Sequence, residues 1–555
     1  MLSRRVPVVV AAHLGVASAC IPDWGPPAGM VCDDGCSTTQ ESGGPSPATS
    51  DSPVPTTSAI DTGDATTGDA PSTTTTSGPG TTSTTSAADE SPVILGFEVS
   101  PDLMQSNGLI DLAVSTEHAD GVRMQLDNGE VIELASVEAS SFTGQIAAFS
   151  GLDNGAHVAV LTPWRADVEG ETVDAPYFIA LPEPGSQVFW ETGDLIDSSG
   201  FVVAMGVLPD RRFIELGTYY VKGEPRCFLR VRDHDGGWEP ADFMSVLPTA
   251  FCTATDLTVN PETGALHVLV DRKGGDGLRW WLGEIASWGK GAKMIGLGAV
   301  GDKALALARH PDMLAVCGTK KVQTGDLDAF AVLVRPGQEG EERLFDYKAK
   351  GMEFTPHSFS ETARDCVFAG DTLALVGAAW GKHGDDENYQ RDRLALLEHD
   401  VLANMTTWTV AGPGPGVQSR ALAIAVDDTN RYQVAGYTCL DDCKPEGDLR
   451  TYLPGGELFA QTALGPLGSD SFGPHDIAWS PAGYMVIALG ELQGQSYVFK
   501  VQAFKPQVIK PLWTFTPNDK QGLQIAYALA IDPYGKVCAG GIGSGNYPAF
   551  ACIGS

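Results

Sequence analysis

An all-β chain is what this sequence predicts, on three observations. Short runs of alternating apolar and polar residues recur from Ser91 onward, separated by Gly, Asn, Asp and Pro. One unit, a strand, a polar turn, a second strand and a Gly, returns at intervals of about fifty to sixty residues. The last copy stops after its third strand, while a lone strand stands just before the first copy. Together these predict a seven-bladed β-propeller over residues 187–555, preceded by a small β-sandwich over 91–183 and a disordered Ser/Thr-rich stalk.

Taken in chain order, residues 1–19 read as a signal peptide. Arg4 and Arg5 open it, residues 6–16 are largely apolar but too short for a permanent span, and Ala17-Ser18-Ala19 sets small residues before Cys20. This ending resembles a bacterial lipobox, although Ala17 stands where that family prefers Leu. The resemblance implies lipidation of Cys20 and a membrane partner held through that lipid. Cleavage after Ala19 with Cys20 left as an ordinary thiol is the other reading. Ser3-Arg4-Arg5 also resembles part of a twin-arginine motif, but the rest of that motif is absent.

Residues 20–90 are dominated by Ser, Thr, Pro, Gly, Ala and Asp, as in Thr73-Thr74-Thr75-Thr76-Ser77-Gly78-Pro79-Gly80. Such a stretch lacks the apolar area to offset the entropy of ordering, so a solvated stalk is expected. Roughly fifty residues of such coil separate their ends by about 40 Å.

From Ser91 the composition changes abruptly, beginning with alternating Val93, Leu95, Phe97 and Val99. Asn128-Gly129, between Met124-Gln125-Leu126 and Val131-Ile132-Glu133, predicts a hairpin with a two-residue type I′ turn. Asn154-Gly155 is a second turn signal. This pattern up to Tyr177-Phe178-Ile179-Ala180 resembles an immunoglobulin-like sandwich of the kind that spaces bacterial surface proteins. The Cys–Trp–Cys core signature is absent, so a fibronectin-type variant is equally allowed.

The repeat is plainest in Arg420-Ala421-Leu422-Ala423-Ile424-Ala425-Val426-Asp427, followed by Tyr432-Gln433-Val434-Ala435-Gly436. Copies begin near Lys303 and Tyr527, and weaker ones near Phe201, Thr255, Arg364 and His475. Gly217, Gly318, Gly377, Gly436, Gly490 and Gly541 mark the period, with Asp271 in place of one Gly. Apolar third strands follow, such as Ala329-Phe330-Ala331-Val332, and outer strands such as those around Trp408 and Trp513. The last copy ends at Phe550-Ala551-Cys552-Ile553 and needs a fourth strand, for which Gln187-Val188-Phe189-Trp190 is the candidate. That pairing would close the ring and leave no open sheet edge.

These copies resemble the bacterial β-propeller repeat families with an A-x-A-x-D-x-x-G-x-x-Y-x-x-G pattern, and depart from it at places such as Cys366-Val367-Phe368-Ala369-Gly370-Asp371. The resemblance implies a secreted or surface protein and no particular activity.

The chain has 11 Cys, and one lipidated Cys leaves ten for an oxidising compartment to pair. Spacing suggests Cys32 with Cys36, Cys439 with Cys443 and Cys538 with Cys552, leaving Cys227 with Cys252 and Cys317 with Cys366. A metal site at the C-x3-C pairs is the alternative, but no further Cys or His completes four zinc ligands at the usual spacing. A net charge of −34 argues against nucleic acid as a partner.

Signals for chemistry are sparse. Gly296-Leu297-Gly298-Ala299-Val300-Gly301 matches G-x-G-x-x-G, yet an alternating strand follows where a phosphate site needs a helix. Within residues 381–392, Asp385, Asp386 and Asp392 are candidate Ca²⁺ ligands, against the plainer reading of a solvated acidic loop. The histidines share no register. Trp280, Trp281, Trp288, Trp380 and Trp479 fit blade packing better than a stacking site.

The expectation is therefore an exported protein, at the outer membrane or cell surface or in the periplasm, whose propeller binds an extracellular protein, glycan or peptide. Loops 319–328, 378–392 and 437–448 are where contacts are expected. The alternative is a propeller hydrolase or lyase acting on extracellular polymers.

Overall fold

The computed structural model describes residues 91–554, apart from 102, 105–108, 128, 148–153, 194–198, 235, 248–250, 275–276, 324–325, 337, 346–359, 384–385, 412–417, 440–444, 468–472, 509 and 519–523. The signal peptide and stalk, Cys20, Cys32, Cys36, Cys443 and Asp385 lie outside the described residues, as does the side chain of Asp386. Among the described residues the elements are strands, with two short 3-10 turns.

Residues 91–181 form two sheets that face each other across one core. Alternation is the cause. Along Leu109–Glu117, Ile110, Leu112 and Val114 are buried while Asp111, Ala113 and Ser115 are exposed, and Val122, Met124, Ala159 and Leu161 meet them. The Asn128-Gly129 hairpin forms, with a longer loop than the type I′ turn expected. Leu126 N–H donates to Glu130 O and Gly129 N–H to Leu126 O, with Gly129 at φ 86°.

Beyond Gly185 the strands form antiparallel sheets of propeller-like, four-stranded design. We number these units by their first strands: unit 1, Gly200–Val207; unit 2, Cys252–Val259; unit 3, Lys303–His310; unit 4, Ser360–Ala369; unit 5, Gln418–Val426; unit 6, Pro474–Ser480; and unit 7, Ile525–Ile531. Each first strand packs on the first strand of the next unit, and that of unit 7 packs on that of unit 1. Units 3 and 4 also share one parallel bridge, Leu327 to Ser360. The fourth strand of unit 7 comes from Gln187–Thr192, which pairs antiparallel with Tyr547–Ile553. Gly185 N–H donates to Gly554 O at 2.7 Å beside it.

Every first strand carries a bulge, and in five of the seven units the repeating Gly accommodates it. In unit 4 the pairing slips between Ala363 and Asp365, opposite Gly377, where a Cβ would lie 1.7 Å from Thr362 O. Gly318 and Gly436 face Lys303 O and Arg420 O in the same way. In units 2 and 6 the register differs from the Gly ruler: Val270 and Leu489 oppose the residue before the bulge, one position ahead of Asp271 and Gly490. Gly377→Ala is expected to cost about 1–3 kcal/mol, because backbone must shift. A chemical melt reads that loss.

The turn aspartate of the repeat has a local task. Asp427 accepts from the N–H groups of Thr429 and Arg431, and Asp532 from those of Tyr534 and Lys536, all at 2.8–2.9 Å. Asn430 and Gly535 take the left-handed position that this turn needs.

Among the described residues three disulfides are formed. Cys227–Cys252 joins units 1 and 2, Cys317–Cys366 joins units 3 and 4, and Cys538–Cys552 staples two strands of unit 7. Bonds of this kind persist in oxidising compartments and point to a non-cytoplasmic protein. No helix among the described residues is long and apolar enough to cross a membrane.

Candidate functional site

The bulges decide which side chains line the inside of the ring of first strands. An extra residue on one strand breaks the in–out alternation and re-aims a side chain. The bulge residues are Val203, Thr255, Leu305, Arg364, Leu422, His475 and Tyr527. All are half-buried. The alanines next to them in units 1, 3, 5 and 7 (Ala204, Ala306, Ala423 and Ala528) are buried between units. The ring of first strands therefore turns these seven side chains toward its axis. Tyr527 lies edge-on to His475 with centroids 4.7 Å apart and beside Phe201 at 6.1 Å. Burial lowers the imidazole of His475 to about 4 and raises the phenol of Tyr527, so both are neutral near pH 7.

The position after the bulge alternates round the ring. It is Ala204, Asp256, Ala306, Asp365, Ala423, Asp476 and Ala528 in units 1 to 7. Each aspartate makes the same pair of bonds. Asp256 accepts from its neighbour Leu257 N–H at 2.7 Å and from Leu307 N–H of unit 3 at 2.6 Å. Asp365 accepts from Cys366 N–H and from Ile424 N–H of unit 5, and Asp476 from Ile477 N–H and Leu529 N–H of unit 7.

All three aspartates titrate above the ordinary carboxylate range, chiefly because burial disfavours their charge. Asp256 is raised to about 7, with Asp365 adding to burial, and Asp365 to about 6. Asp476 is raised well above its usual value by burial, then by the charges of Asp365 and Asp256. Two backbone donors oppose the shift in each case.

At another part of the ring, a cavity of about 250 Å³ opens between the first strands of units 1, 2 and 7, beside Met205, Leu257 and Ala530.

The residues singled out from sequence fall elsewhere. Asp392 is buried in the third strand of unit 4, where its carboxylate pairs with Arg420 and accepts from Gln418 Nε2 at 3.2 Å. Trp281 is buried between units 1 and 2, Trp280 between units 2 and 3, and Trp479 packs between units 5 and 6. Of the loops, Lys320 bonds Glu342 at 2.7 Å at the base of 319–328. Sequence reading passed over Asp256, Asp365 and Asp476. Their signal was in three of the four weaker copies, each of which has Asp where the clear copies have Ala.

No protein-family model matches the chain, and no curated protein does. Among solved structures it is similar to a structural genomics protein of unknown function from Bacteroides thetaiotaomicron VPI-5482, at 13% identity over 85% of this chain and 100% of that one, with a TM-score of 0.37. It is similar also to the Dos1 propeller, at 10% identity over 66% and 95% and a TM-score of 0.37. A third is Sqt1 from Chaetomium thermophilum, at 13% identity over 65% and 82% and a TM-score of 0.35. The architecture described above rests on the strand pairing of this chain.

Proposed function

We propose that this is an exported, lipid-anchored surface protein whose C-terminal seven-bladed propeller is a ligand-binding module. In this reading an immunoglobulin-like sandwich and a Ser/Thr-rich stalk set the propeller away from a membrane held through Cys20. The observation that carries it is the ring of bulge side chains at the axis. Val203, Leu305, Leu422 and Tyr527 offer apolar and aromatic surface beside the polar Thr255, Arg364 and His475, the mixture that recognition sites use. The partner is an extracellular protein, glycan or peptide.

A second reading, a hydrolase or lyase acting on extracellular polymers, draws on the same three carboxylates. The binding reading is favoured because each carboxylate is already held by two backbone N–H groups. A general acid or base must be free to exchange a proton with substrate.

The test is a thermal-shift screen of the mature protein against glycans, peptides and divalent cations, with product analysis on the same panel. The expected result is stabilisation by one ligand class without turnover. His475→Ala, which trims the ring without touching a backbone bond, should weaken that ligand by about tenfold, or 1.4 kcal/mol. Turnover would overturn the reading, as would a ligand indifferent to ring substitutions.

A further inference from the structure

Seven units cannot alternate Ala and Asp round a closed ring without a fault, and the fault falls where unit 7 meets unit 1. Asp256, Asp365 and Asp476 each bridge a seam between units. One oxygen takes the N–H of the next residue and the other an N–H of the following unit. Three carboxylates thus occupy six equivalent amides, those of Leu257, Leu307, Cys366, Ile424, Ile477 and Leu529 in units 2 to 7. The remaining amide of the set is that of Met205 in unit 1. Ala204 and Ala528 stand at the places from which an aspartate would reach it.

Register fixes where this amide points. In an antiparallel pair, alternate residues exchange hydrogen bonds with the neighbouring strand. Leu208 N–H donates to Arg212 O of the second strand at 2.8 Å, and the pairing runs back without a slip to Ala204. Leu208, Gly206 and Ala204 therefore bond to the second strand, and Met205 N–H faces the other way, toward the axis. The six amides named above hold the same register and meet a carboxylate. Among the described residues of the ring, no aspartate is placed to meet that of Met205.

The cavity of about 250 Å³ opens at this same place. Met205 and Val207 of unit 1, Leu257, Thr258 and Val259 of unit 2, and Ile531 of unit 7 are in its walls.

We propose that this cavity binds a ligand carboxylate carried on a short apolar stem, with Met205 N–H and the Thr258 hydroxyl as its donors. The ligand supplies the carboxylate that the ring's alternation leaves out between units 7 and 1. This rests on the ligand-binding reading above and names the group recognised. A carboxylate facing a backbone N–H makes a charge-assisted bond, stronger than that of a neutral acceptor. Val207, Leu257, Val259 and Ile531 cover the stem. Sugar acids fit poorly, because each ring hydroxyl needs a partner that these side chains do not offer. Asp256, in the adjoining unit, turns one oxygen away to unit 3. The right group is carried by a peptide ending in an apolar residue and by a small free acid.

The experiment uses the full mature chain labelled with nitrogen-15 methionine, which gives at most 11 amide signals, one for each Met. Loss of one signal in Met205→Leu identifies the reporter. The probes are butanoate and butanamide, the tripeptide Ala-Ala-Val with a free or an amidated C-terminus, and glucuronate. Butanoate and the free peptide should move the Met205 signal, and their amides should bind about tenfold or more weakly. Tighter binding of the peptide than of butanoate assigns the site to peptide ends, and the reverse order to small acids. Ala528→Asp places a carboxylate where Asp476 reaches Leu529 in the preceding pair. It should shift the Met205 signal without ligand and remove the response to butanoate. If that variant does not fold, Thr258→Phe fills the cavity, leaves the three aspartates in place and should remove the response as well. Equal binding of acid and amide would overturn the site. So would glucuronate binding as well as butanoate, or a Met205 signal that no carboxylate moves. A ligand from the thermal-shift screen that needs His475 and leaves the Met205 signal in place would overturn this site alone, and the binding reading would stand.

Discussion

Glu215→Ala should destabilise the protein by about 3–5 kcal/mol, the largest single-site loss expected in this fold. Glu215 is fully buried in unit 1, and its Oε2 takes Arg230 Nε and, at 3.1 Å, Arg232 Nε. Both guanidiniums are also buried. Arg232 Nη1 reaches on to Glu191 at 2.7 Å, in the strand that completes unit 7, and the group lies 4.2 Å from the Phe550 ring. Removing Glu215 strands two cations out of water, and burial already pulls Arg230 below its usual value. The paired network is itself weak support for stability, because desolvation offsets most of its attraction. Breaking it is costly because the remaining charges keep that penalty without the attraction. Denaturant melts of Glu215→Ala and Glu191→Ala check this. The second should lose less, since Glu191 is part exposed and Arg232 keeps Glu215.

Removing the Cys317–Cys366 disulfide, with both residues changed to Ala, should cost about 4 kcal/mol by the chain-entropy estimate for a loop of this length. The bond spans 49 residues, against 25 for Cys227–Cys252 and 14 for Cys538–Cys552. The loss should fall in that order, to about 3 kcal/mol for the shortest loop. The two longer loops also cross seams, so their removal frees whole units rather than a hairpin. Melts of the three double variants under oxidising conditions test the ranking. A largest loss at Cys538–Cys552 would show that native packing, and not loop closure in the unfolded chain, decides the contribution.

Much of the fold was legible because its causes are local. Strand alternation follows from side chains pointing to opposite faces, so Ile110, Leu112 and Val114 announce their strand wherever it packs. The turn aspartates Asp427 and Asp532 cap backbone N–H groups two and four residues on. Neighbouring cysteines paired as their spacing suggested at Cys227, Cys317 and Cys538, because consecutive units bring nearby residues together. The pairing of Gln187–Thr192 with Tyr547–Ile553 was legible for a different reason: a four-stranded period with one strand missing at one end and one spare at the other has a single economical solution.

The candidate site was much less legible. A run such as Asp365-Cys366-Val367 reads as a weakened strand, and a charge in an apolar position reads as decay of the repeat. Asp392 illustrates the converse error. It looks like one of several carboxylates on an acidic loop, yet it lies inside a strand with Arg420 held against it.

By itself, then, the sequence determined the kind of strand, the length of the repeat and the meeting of its two ends, all of which are set by periodicity along the chain. Only the tertiary structure decided that Val203, Thr255, Leu305, Arg364, Leu422, His475 and Tyr527 share one axis and that three alternate aspartates cross the seams. The reason is the bulge. One extra residue reverses which side chains face inward, and its position is fixed by how backbone carbonyls such as Thr362 O fit against the opposing glycine, a contact between strands that no pattern along one strand records.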